Sequence, residues 1–193
     1  MRMSKIERKT YETDITLELN LDGTGESEID TGVGFFDHML TLFSKHGMMD
    51  LKLKCNGDIH VDCHHTIEDI GIVMGKAFAE CIKDKNGILR YASEFTPMDE
   101  TLVQTALDIS GRPYLVFNAD FPQEQVGQFD TEMTEEFFRA FAYYAQVTLH
   151  INLMYGKNTH HMIEAIFKSV GRIFNQATKI EGNEIMSTKG VID

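Results

Sequence analysis

His64, His65 and Glu68 form an HHxxE pattern, and His160, His161 and Glu164 repeat it 96 residues further on. Imidazole and carboxylate are donors that Mn²⁺, Fe²⁺ and Zn²⁺ accept without help from sulfur. On a helix, His64 and Glu68 share a face, whereas His65 points about a quarter-turn away. One such helix therefore offers ligands in two directions. Two of them read as a two-metal arrangement, each copy giving a His/Glu pair to one ion and its neighbouring His to the other. A single His-His pair is equally well explained as a solvated helix start; the duplicated pattern is the argument for ligands.

Two further residues join this set by position. His38, in Gly34-Phe35-Phe36-Asp37-His38-Met39-Leu40, falls opposite Glu136 at an offset of 98 residues. His38 could be a buried core histidine and Glu136 part of an acidic first helical turn favoured by the helix dipole, but their alignment makes both candidate ligands. Cys63 adjoins His64, yet its place just ahead of the helix suits a packed thiol. His46, His60 and His150 lack counterparts; His46, at a helix end, is expected to be a cation. Beyond the second cluster, Lys168 and Arg172 continue the four-residue steps from His160 and Glu164. Arg90 and Arg112 sit in loop-like stretches, and Ser187 and Lys189 in a terminal segment. Together these cations suit a phosphorylated substrate.

The elements that would hold these groups are themselves duplicated. Glu12-Thr13, followed by Ile15, Leu17, Leu19 and Leu21, matches Glu100-Thr101, followed by Val103, Thr105, Leu107 and Ile109, at an offset of 88. The period of two predicts half-buried strands. Each is followed by an amphipathic helix, an alternating strand and a long helix. We therefore expect an α+β fold made of two packed halves, 1–92 and 93–193, each placing helices on one face of a mixed or antiparallel sheet. With 193 residues, 42% of them hydrophobic and 25% charged, the chain can bury a sizeable core. No apolar run is long enough for a membrane span and the first residues lack a signal-peptide core, which points to the cytoplasm. A formal charge of −12 argues against nucleic-acid binding. Three cysteines without CxxC spacing suit a reducing compartment.

Thr31-Gly32-Val33-Gly34-Phe35-Phe36-Asp37-His38-Met39-Leu40, Asp62-Cys63-His64-His65-Thr66-Ile67-Glu68-Asp69-Ile70-Gly71, Pro97-Met98-Asp99-Glu100, Asp108-Ile109-Ser110-Gly111-Arg112-Pro113 and Gly156-Lys157-Asn158-Thr159-His160-His161-Met162-Ile163-Glu164-Ala165 resemble the imidazoleglycerol-phosphate dehydratase family of histidine biosynthesis. The resemblance runs from Glu12 to Lys189. It leaves no room for the histidinol-phosphatase domain fused to some members, so it implies a monofunctional lyase.

The resemblance also implies two Mn²⁺ per chain and a homo-oligomer, an octahedral cage of twenty-four with metals and active sites between subunits. Carried over by motif, one metal takes His38, His65, His160 and Glu164, and the other His64, Glu68, His161 and Glu136, where other members carry His. Substrate contacts fall on Glu12, Arg90, Arg112, Lys168, Ser187 and Lys189. The chemistry is consistent with that inventory. The C2 hydrogen of imidazole glycerol phosphate has no adjacent carbonyl to acidify it, so the ring must help. Two metals on the ring nitrogens would stabilise an imidazolate that expels the C3 hydroxyl, after which Glu12 removes the C2 proton and the enol becomes imidazole acetol phosphate. Two other readings fit the bare residues: a dimetal hydrolase of a phosphoester, which would release inorganic phosphate, and a non-catalytic protein whose metals only staple subunits together.

Overall fold

In the computed structural model, which describes residues 1–192, alternation along Thr13–Asn20 buries Ile15, Leu17 and Leu19 on one face of a strand. The first half comprises β1 (Met3–Lys9), β2 (Thr13–Asn20), β3 (Ser27–Asp30), α1 (Gly34–Gly47), β4 (Asp50–Gly57) and α2 (His64–Cys81). The second comprises β5 (Tyr91–Met98), β6 (Thr101–Asp108), β7 (Tyr114–Asn118), a short hairpin of β8 (Gln125–Val126) and β9 (Phe129–Asp130), α3 (Met133–Ala145), β10 (Thr148–Tyr155) and α4 (Thr159–Ala177). The sheets have orders β1-β2-β4-β3 and β5-β6-β10-β7, one topology used twice. In each, three strands are antiparallel and the fourth, β3 or β7, runs parallel to its neighbour. The fold is α+β and internally duplicated, with β1, β3, β5 and β7 beyond the strands that the apolar alternation marks. Ala92 lies inside β5, so the seam between the halves falls just ahead of Tyr91.

The helices are packed between the two sheets, α1 against α4 and α2 against α3, so each pair takes one helix from each half. Close backbone approaches set their direction. A Cβ on Gly71 would lie 2.8 Å from the Phe137 carbonyl oxygen, and one on Gly75 2.6 Å from that of Phe141. Likewise Gly171 faces the Phe43 carbonyl and the Gly47 amide, while His38, earlier in α1, lies beside Glu164, earlier in α4. Both pairs are therefore parallel, and phenylalanines knit them into one layer: Phe36 meets Phe137, and Phe78 meets both Phe141 and Phe174. All four helix N-termini consequently gather at one end of the molecule. At Gly75→Ala the obstructing atoms are the Phe141 carbonyl oxygen, the Tyr144 Cβ and the Ala145 amide nitrogen, none of which can swing aside. This variant should lose about 1–3 kcal/mol of stability through overpacking; an unchanged denaturation midpoint would contradict so tight a crossing.

α1 and α3 end alike, in the left-handed non-glycine caps Met48 (φ 52°) and Gln146 (φ 57°). These caps are 98 residues apart, as are His38 and Glu136, so the two candidate ligands occupy equivalent helical positions.

Candidate functional site

The four N-termini position every candidate ligand. His38 lies early in α1, His64, His65 and Glu68 open α2, Glu136 is in the first turn of α3, and His160, His161 and Glu164 open α4. Asn158 caps α4, its side chain accepting from the backbone N–H groups of His160 and His161 and so fixing the helix start. At the start of α2, buried Asp69 accepts from Thr13 Oγ1 at 2.5 Å and from Arg8 Nη2 at 2.7 Å, which ties the helix to β1 and β2. Aligned helix dipoles make this end positive, which favours carboxylates there.

Within the chain, His38, His160 and Glu164 converge, each offering a donor atom within 4.8 Å of the others. His160 Nε2 is 3.0 Å and His38 Nε2 3.8 Å from Glu164 Oε2. Burial pushes the Glu164 carboxyl up, but Lys168, at 2.5 Å, and His160 outweigh it and hold the group below its ordinary value. Ligands about 2.0–2.2 Å from one ion lie at most about 4.4 Å apart, so a small closure would fit this trio to a metal. The donors are the imidazole and carboxylate groups that divalent transition metals accept. On α2, His64 Nε2 lies 3.8 Å from Glu68 Oε2, but the Glu136 carboxylate of α3 is engaged by Arg139, and these three do not form a second three-donor cluster among the described residues. Cys63 stays outside both groups: its thiol is buried, contacts Asp130, and is pushed up in pKa by that burial.

His65 and His161 point elsewhere. His65 Nδ1 lies 3.0 Å from Asp58 Oδ2, and its Nε2 is 3.7 Å from Glu12 Oε1. His161 Nδ1 lies 2.8 Å from Glu100 Oε2. These hydrogen bonds raise both imidazole pKa values. His161, aided by the backbone amide of Asn158, pulls the Glu100 carboxyl down to about 2. Glu12 is half exposed in the turn before β2, rather than in the first strand of the fold. His46, expected to be a cation, has its pKa lowered by burial and by Lys168 and Arg172.

Four of the six candidate substrate contacts meet somewhere else again. Arg90, Arg112, Ser187 and Lys189 line one cavity of about 780 Å³, together with Tyr91 and Ser110. Arg90 adopts the left-handed region (φ 70°), costly for a side chain of its size. Its guanidinium is bound to Asp108 at 2.7 and 3.2 Å and to the Met186 carbonyl at 2.7 Å, so it braces the terminal segment as well as facing the cavity. Lys168 is not in that wall; it lies against Glu164 and Met98. The Arg90 amide donates to Ala177 at the C-terminal end of α4, whereas His160 stands at its N-terminal end. At about 1.5 Å per residue, the cavity and the His38 cluster of one chain are roughly 25 Å apart.

Asp58 is a site residue that sequence reasoning missed. It has no counterpart, because the corresponding loop of the second half, Gly156-Lys157-Asn158, carries no acid.

Comparison with known proteins follows the same lines. The family model described as imidazoleglycerol-phosphate dehydratase matches residues 31–174. An imidazoleglycerol-phosphate dehydratase of Acetivibrio thermocellus is 56% identical over 195 residues, covering 99% of each chain. One of Clostridioides difficile is 56% identical over 192 residues, covering 100% of each. The crystal structure of imidazoleglycerol-phosphate dehydratase from Staphylococcus aureus superimposes with a TM-score of 0.85 at 47% identity, over 92% of this chain and 99% of that one.

Proposed function

The chain belongs to the imidazoleglycerol-phosphate dehydratase family, and from that premise we propose that it converts imidazole glycerol phosphate to imidazole acetol phosphate in histidine biosynthesis, in active sites shared between copies of the chain. The observation that carries this reading is the separation of the His38, His160 and Glu164 cluster from the anion cavity along α4. A three-carbon chain bearing an imidazole and a phosphate cannot reach from one to the other, so the cavity of one copy must face the ligand cluster of the next. A cage of twenty-four meets that need. The cytoplasm suits such an enzyme: its three cysteines are free and buried, and no helix among the described residues is long and apolar enough to cross a membrane.

His38, His160 and Glu164 would hold one Mn²⁺ and His64, Glu68 and Glu136 a second, each joined by a His65 or a His161 of a neighbouring copy, whose Nε2 atoms are not spent on their own first-turn Glu. Mn²⁺ bound there would supply Lewis acidity to the two ring nitrogens of the substrate, which makes loss of the C3 hydroxyl possible. The remaining work falls to the chain. Arg112, Lys189 and Ser187 hold the phosphate, with Arg90 bracing them, and so fix the reacting carbons. Lys168 sets Glu164 from the side opposite His160. The Glu12 carboxylate, half exposed and without a hydrogen-bond partner among the described residues, can receive the C2 proton. The test is an assay of metal-stripped protein with Mn²⁺ added back. We expect two ions per chain and imidazole acetol phosphate as the product. Turnover unaffected by metal removal, or release of inorganic phosphate, would overturn the reading.

A further inference from the structure

We propose that Asp58 and Glu100 are positioning residues that hold His65 and His161 as ligands through Nε2, and that the two halves assign this task to non-equivalent carboxylates, which leaves Glu12 free for proton transfer. The inference rests on the two-metal reading above. Glu12 and Glu100 each stand immediately before the threonine that opens a repeat-equivalent strand, Thr13 of β2 and Thr101 of β6. Symmetry would give both the same surroundings, yet they differ. Glu100 is pinned: Oε2 accepts from His161 Nδ1 at 2.8 Å, and Oε1 accepts the backbone N–H groups of Asn158 at 2.8 Å and Lys157 at 3.1 Å. In the first half that place at the histidine is taken by Asp58, whose Oδ2 is 3.0 Å from His65 Nδ1. Glu12 lies across the same ring, with Oε1 3.7 Å from Nε2. The two turns are joined by the Asp58 amide donating to the Glu12 carbonyl at 3.1 Å.

A carboxylate can only accept, so Nδ1 carries the hydrogen in both rings and each Nε2 presents a lone pair outward. Such outer carboxylates fix the tautomer and orientation of ligating histidines, and their loss costs about 10–100-fold in metal affinity. The halves then make unequal demands. Glu100 uses both oxygens. In Glu100→Gln the single amide oxygen must serve either the Lys157 and Asn158 amides or His161. If it stays with the amides, the NH₂ group faces Nδ1 and drives the hydrogen to Nε2. Asp58 uses one oxygen, its buried Oδ1 having no partner among the described residues, so Asp58→Asn can still accept from Nδ1.

The experiment titrates Mn²⁺ into metal-stripped wild type, Glu100→Gln, Asp58→Asn and Asp58→Ala, reading free Mn²⁺ by electron paramagnetic resonance and turnover over the same range. Glu100→Gln and Asp58→Ala should bind Mn²⁺ about 10–100-fold more weakly, with turnover recovering as Mn²⁺ is raised. Asp58→Asn should bind nearly as tightly as wild type. Unchanged Mn²⁺ affinity in Glu100→Gln and Asp58→Ala would overturn the proposal, as would kcat lost from Glu100→Gln at full metal load, which would place Glu100 in the chemistry. If Glu100→Gln fails to fold, the contrast between the two Asp58 variants decides. Wild type that binds no Mn²⁺ would instead overturn the metal reading beneath it.

Discussion

Glu12→Gln is expected to keep its shape, its metal content and its KM while kcat falls by about 10² or more. The substitution is isosteric and exposed. Apart from the 3.7 Å approach to His65 Nε2, the side chain has no polar partner among the described residues, so nothing in the fold depends on its charge. What changes is that an amide cannot accept the C2 proton. Glu100, the repeat equivalent, could not substitute for it: backbone amides and His161 occupy both its oxygens, and its pKa of about 2 makes it a poor base. Steady-state kinetics beside metal analysis decides the matter. Turnover within a few-fold of wild type at normal metal load would remove Glu12 from the proton transfer.

Ending the chain after Met186 should raise KM by about 10²-fold or more, since each lost charge-assisted hydrogen bond to phosphate is worth about 1.5–3 kcal/mol. The truncation removes Ser187 and Lys189 from the cavity but keeps the Met186 carbonyl that Arg90 grips, so the bracing of the wall survives. Lys189→Ala alone should give a smaller rise of about tenfold by the same reasoning. Mn²⁺ binding should be unaffected in both, because neither Ser187 nor Lys189 is among the candidate metal ligands. An unchanged KM in the truncated protein would show that the terminal segment is not part of the substrate site.

Much of this arrangement is legible in the sequence because duplication writes it twice. The 96-residue offset pairs His64 with His160, and the 98-residue offset pairs His38 with Glu136. Both hold because the helices that carry them end or begin alike, down to the left-handed caps at Met48 and Gln146. The edge strands are not legible. β1 buries only Ser4, with Ile6 and Arg8 half-covered, so its pattern of charge and polarity resembles a loop. β3 is four residues long and mostly exposed. Asp58 is hidden for a different reason: its role has no repeat partner to flag it. The distance between the anion cavity and the metal ligands is also invisible in one dimension. Lys168 and Arg90 both read as phosphate-binding cations, yet Lys168 lies beside Glu164 whereas Arg90 is joined to Ala177, and only the length of α4 separates them.

That separation is the centre of the account, and mixed assemblies test it most directly. Glu164→Gln leaves the cavity intact and spoils the ligand cluster; the chain ended after Met186 does the reverse. Each alone should be almost inactive at ordinary substrate concentrations. If every site joins the cavity of one copy to the ligands of another, random co-assembly of equal amounts makes about a quarter of the sites whole. Co-expressed or co-refolded mixtures should therefore recover about a quarter of wild-type turnover. A mixture no more active than its two parents would contradict the claim, and would require each chain to build its active site alone.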